Sequence, residues 1–158
     1  MNPVKSGHSL ERFQERQILF APDVVPGTPR DLKSAAGTVI GNFVIPAVWG
    51  QVTVMGIGLM YGAAGGAQTT AGTAKLQIAG VDVGAPFVVA SVASHTIYDT
   101  AETELNATTA ANQYSAAPSY PTLTAGQVCQ MLVATQGAGA GSQTVYPYLI
   151  IRQKPSTT

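Results

Sequence analysis

Gln51-Val52-Thr53-Val54-Met55-Gly56-Ile57-Gly58-Leu59-Met60-Tyr61 is the longest run in the chain with the composition of a β-strand. Side chains on a strand alternate between its two faces, so Val52 and Val54 fall opposite to Met55, Ile57 and Leu59 unless a kink at Gly56 re-aims the strand. The run is therefore buried on both faces or bulged, and either way it reads as a central strand.

Working outward, the chain from Thr38 onward consists of short β-branched and aromatic runs separated by Gly, Pro and Asn, with no helical period lasting three turns. Candidate strands are 38–45, 51–61, 74–78, 81–83, 87–90, 95–98, 127–135 and 144–153, which makes the body all-β with about eight antiparallel strands, suited to a sandwich. Lys75-Leu76-Gln77-Ile78 alternates apolar with polar, and Ala79-Gly80 supplies a tight turn into Val81-Asp82-Val83. In the last run Pro147 cannot donate a ladder hydrogen bond, which favours an edge or a bulge, while Tyr146 and Tyr148 share one face. Segments 62–72 (GAAGGAQTTAG), 100–121 and 137–142 (GAGAGS) read as long small-residue connections.

Charge divides the chain in two. Nine of the sixteen charged side chains lie within residues 1–33, while residues 34–151 hold only Lys75, Asp82, Asp99, Glu102 and Glu104. Residues 1–33 form an N-terminal arm and 34–158 the sandwich domain. In the arm, Ser9 can cap a short helix whose Leu10, Phe13, Gln17 and Ile18 share a face, and the amphipathic piece runs on to Phe20 before Pro22, Pro26 and Pro29 interrupt it. Three apolar residues on one face do not sustain a helix in isolation, so the arm orders against something: its own domain or a neighbouring subunit.

Only 10% of the 158 residues are charged, against roughly 25% in ordinary soluble domains. A body so poor in charge is expected to be covered by neighbours, the alternative being a monomer solvated by hydroxyls and amides. The formal net charge is zero, which removes the basic face that nucleic acid requires. Residues 1–20 contain no continuous apolar stretch, and 39–66 is broken by Gly, Pro, Asn and Gln, so neither a signal peptide nor a membrane span is expected. Synthesis in a reducing cytoplasm suits the single cysteine, Cys129.

Chemistry finds no foothold. His8 and His95 lack a companion at metal-ligand spacing, and Gly56 to Gly62 misses the dinucleotide pattern by one position with no helix following. Asp99, Glu102 and Glu104 form the only acidic cluster and read as a solvated loop or a salt bridge to a neighbour's arm. There is no G-x-S-x-G, and Cys129 sits in a strand as a small apolar group. No enzyme, metal or cofactor is expected. The expected anchors of a protein interface are Leu10, Phe13, Ile18, Phe20, Trp49, Tyr146 and Tyr148.

Two stretches, 72–84 (GTAKLQIAGVDVG) and 122–135 (TLTAGQVCQMLVAT), the second leading over GAGAGS into the final strand, resemble those of jelly-roll decoration, or cement, proteins of tailed-bacteriophage capsids. The resemblance implies a jelly-roll sandwich whose extended terminus ties subunits together, and a trimer clamping major capsid subunits on the exterior of a virion made in the host cytoplasm. Phage tail-fibre and head-fibre domains use the same kind of strand and turn. The alternative is thus a fibre module that binds a host glycan through a patch such as Tyr98, Asp99 and Glu102; a β-sandwich hydrolase is a more distant rival.

Overall fold

The computed structural model describes residues 17–21, 30–62, 68–88, 100–105, 120–140 and 143–153. Among them are twelve strands: β1 Gln17–Phe20, β2 Arg30–Asp31, β3 Val39–Phe43, β4 Gln51–Tyr61, β5 Gln68–Thr70, β6 Thr73–Ile78, β7 Val81–Val88, β8 Thr100–Glu104, β9 Thr122–Thr124, β10 Cys129–Thr135, β11 Ala138–Gly139 and β12 Thr144–Gln153. The only helical element among the described residues is a 3-10 turn at Ala47–Trp49. Every strand pairing is antiparallel.

A six-stranded sheet runs β1-β12-β4-β8, with β2 also on β12 and β9 also on β4. A four-stranded sheet runs β3-β10-β6-β7, and β5 pairs with β11 separately. One buried cluster draws Val52, Val54, Ile57, Leu59, Leu149 and Ile151 from the first sheet and Ile40, Phe43, Leu76, Met131 and Val133 from the second. The molecule is a β-sandwich whose core is the contact between two inner faces.

The central strand resolves its phase conflict with a bulge. Ile151 pairs with Val54 and Ile150 with Gly56, so Met55 is the extra residue. With one residue set aside, Val52 and Val54 join Ile57, Leu59 and Tyr61 in the inter-sheet core, while Met55 is buried on the opposite side. The carbonyl of Met55 accepts from Leu105 N at 2.9 Å, where β8 ends. Gly56 is dictated by close approach, since a Cβ there would lie 2.7 Å from the carbonyl oxygen of Thr103.

Strand β12 is interior, not an edge. Proline is tolerated because of where the neighbouring strands stop: β1 ends with Phe20 opposite Tyr148, and β2 begins with Arg30 opposite Val145. The carbonyl of Pro147 accepts from Ala21 N at 3.4 Å, so its nitrogen faces the same side, just past the end of β1, and the reciprocal bond to Ala21 is the single one that proline forgoes. Gly41 of β3 packs on this corner, where a Cβ would stand 2.8 Å from Pro147 Cγ.

The described pieces of the N-terminal segment pack on their own domain. Residues 17–20 and 30–31 are strands of the large sheet, and Ala21 and Leu32 lie in its core. Leu10 and Phe13 fall outside the described residues, as does the expected strand 95–98.

The small-residue connections contain strands. Segment 62–72 supplies β5 and segment 137–142 supplies β11, and Gln143 holds the two together. This side chain is 2% exposed; its Nε2 donates to the carbonyls of Thr70 at 3.1 Å and Ala138 at 3.3 Å, and its Oε1 accepts from Gly72 N at 2.8 Å. Gly72 and Gly137 must lack side chains, because a Cβ at either would press on the Gln143 amide. Segment 100–121 likewise opens with a strand, β8, laid against Gly56 to Met60.

Candidate interaction surface

Four residues line up across the outer face of the large sheet: Phe20 on β1 opposite Tyr148 on β12, Tyr148 opposite Gly58 on β4, and Gly58 opposite Glu102 on β8. Gly58 has no side chain, so the Tyr148 ring lies across it and its hydroxyl donates to Glu102 Oε1 at 2.5 Å. Phe20 closes the other flank, with ring centroids 5.4 Å apart and planes tilted by 53°. Burial, reinforced by the Glu102 carboxylate, raises the Tyr148 hydroxyl above the ordinary tyrosine range, so it remains a donor at neutral pH.

Around this row Met55, Tyr148 and Ile150 form a second buried cluster, with Met60 and Tyr120 packed against it. An outer sandwich face is ordinarily polar; here it is aromatic and aliphatic. On its β1 side Ile18 is 57% and Phe20 45% exposed. Strand alternation puts Tyr146 on the same face, half-buried.

The structure thus brings Ile18, Phe20, Tyr146 and Tyr148 together and separates Trp49 from them. Trp49 is half-buried against the inter-sheet core at the 3-10 turn. Tyr148 serves as the floor of the face, being 1% exposed, and Ile18 and Phe20 are the groups a partner would touch.

A second apolar surface has no counterpart among the expected anchors. Val44, Val48, Val81 and Val128 are exposed beside the turns that join strands at one end of the sandwich. Their signal in the sequence is β-branched apolar residues set next to Pro46, Gly80 and Gly126, where turns call for polar ones.

The ionisable groups are engaged locally. Asp82 accepts from Gln77 at 2.6 Å and from Lys75 at 2.9 Å, and these two bonds, Gln77 first, hold its carboxyl below the usual range. Burial pushes the Cys129 thiol up to about 12, which leaves it protonated and unreactive. Among the described residues no three His, Cys, Asp or Glu side chains gather as metal ligands, and His8, His95 and Asp99 lie outside them. No helix among the described residues is long and apolar enough to cross a membrane. What both surfaces can do chemically is bury apolar area against a partner. No family model matches the chain, and no curated protein or solved structure matches it either.

Proposed function

We propose that the chain is a virion structural protein, a decoration or cement protein that self-associates as a trimer and clamps neighbouring major capsid subunits on the exterior of a tailed-phage shell. The observation that carries this reading is the set of large apolar side chains left in water. Ile18, Phe20, Val44, Val48, Val81 and Val128 are each between 45% and 90% exposed. In a chain with 10% charged residues and no net charge, such surfaces favour association over solvation.

Two apolar surfaces on different parts of the sandwich suit a protein that must touch more than one neighbour. Its work is mechanical, with neither catalysis nor a cofactor, and many modest contacts add up through avidity. The jelly-roll form of the sandwich belongs to the same proposal, as do assembly in the host cytoplasm and the absence of nucleic-acid and membrane partners. The glycan-binding alternative is less well supported, because the Glu102 carboxylate is already engaged by Tyr148.

The test is the solution mass of the purified protein, alone and after incubation with empty phage shells. Self-association together with saturable shell binding that moderate NaCl does not reverse is the expected result. A solitary chain indifferent to shells overturns the proposal.

A further inference from the structure

Three turns meet at one end of the sandwich: residues 44–50 between β3 and β4, 79–80 between β6 and β7, and 125–128 between β9 and β10. Ala79 N donates to Val128 O at 2.8 Å and Ala125 N to Gly50 O at 2.9 Å, which ties the turns into one surface. On it Val44 is 60%, Val48 90%, Val81 59% and Val128 60% exposed. Ala79 holds φ at 51°, the left-handed position where Asn or Gly costs least, so an apolar methyl is kept there against local backbone preference. Beside the valines opens a pocket of about 270 Å³ lined by Phe43, Val44, Gly126, Val128 and Cys129 together with two amide side chains.

We infer that copies of this chain meet through the valine-tipped end, Val48 of one copy entering the pocket of the next. The inference rests on the self-association proposed above and names its surface. Charge argues for a second copy as the occupant. None of the residues lining the pocket is charged and the chain has no net charge, so two such ends approach without repulsion and strand no unpaired ion. Area sets the strength. The four exposed valines offer roughly 400 Å² per copy, against about 800 Å² per partner in a standard stable interface, so the contact is weak and reversible.

Sedimentation of the full chain from about 10 µM to about 1 mM tests this. The wild type gains mass across the range, whereas Val48→Asp moves the midpoint up by about tenfold or more with its thermal unfolding unchanged. A concentration series of amide NMR spectra on the wild type needs no substitution and should shift residues 44–50, 79–81 and 125–128. Mass that stays at one chain up to the highest concentration overturns both this contact and self-association. Mass that rises equally in Val48→Asp, with NMR shifts centred on Ile18 and Phe20, overturns the valine end alone and leaves self-association standing.

Discussion

The ring of Tyr148 occupies the space that a side chain at position 58 would need: a Cβ on Gly58 would lie 2.2 Å from Tyr148 Cζ. The ring is buried on the sheet, so it cannot yield by swinging into solvent.

Gly58→Ala is therefore expected to cost about 1–3 kcal/mol, as overpacking does, and to release the bond to Glu102. Tyr148→Phe keeps the packing and loses only the hydroxyl's bonds to Glu102 and Thr100, at about 1 kcal/mol. Urea unfolding of the two variants should rank them in that order; a silent Gly58→Ala would mean that the ring does not rest there.

Stability should fall in alkali. Tyr148 and Cys129 both have folded-state values above their unfolded ones, Tyr148 through burial and Glu102, Cys129 through burial to about 12. A group raised on folding contributes its stability in full below the unfolded value, and that contribution drains away as pH climbs through the window up to the folded value. Loss should begin near pH 9 for the thiol and near pH 10 for the phenol, at up to about 1.4 kcal/mol per unit for each group. Cys129→Ala should remove the first part and Tyr148→Phe the second, read from urea midpoints across the alkaline range.

Gln143→Leu would leave Gly72 N and two carbonyls, those of Thr70 and Ala138, without their partner. A buried hub of this kind costs about 2–4 kcal/mol when broken. Hydrogen exchange should show the loss concentrated in β5 and β11, with β4 and β12 protected; uniform deprotection would contradict a local clasp.

Truncation should discriminate within the N-terminal segment. Deleting residues 1–16 retains every described strand, whereas deleting 1–33 removes β1 and β2 with Leu32, a core residue 1% exposed. The longer deletion should lose several kcal/mol, in the manner of a large cavity, and the shorter one should unfold within about 1 kcal/mol of the full chain. If both unfold alike, the pairing of β1 and β2 with β12 contributes little.

The long strands were legible because ten-residue runs rich in β-branched, aliphatic and aromatic side chains are a strong signal: 51–61 and 144–153 match β4 and β12 end to end, and Ala79-Gly80 is the turn between β6 and β7. Strands β1, β2, β5, β8, β9 and β11 were not, since two to five residues carry no period and their order comes from longer partners. For β5 and β11 the partner is a glutamine more than seventy residues from Gly72 and Thr70 but only five from Ala138, a relation that composition does not encode. The common face of Tyr146 and Tyr148 followed from parity. The depth of Tyr148 did not, because it depends on Gly58 and Phe20 meeting it from two other strands. The exposed valines were hidden by their residue type, which reads as core wherever it occurs.

The extra residue at Met55 has a consequence for how the gene can change. Excising that codon would leave Val52, Val54, Ile57, Leu59 and Tyr61 pointing inward, so the strand keeps its phase through a one-residue deletion there, whereas one taken between Ile57 and Tyr61 would turn part of it inside out. The price falls on Leu105, whose amide would lose its acceptor, and so on the point at which the neighbouring strand lets go.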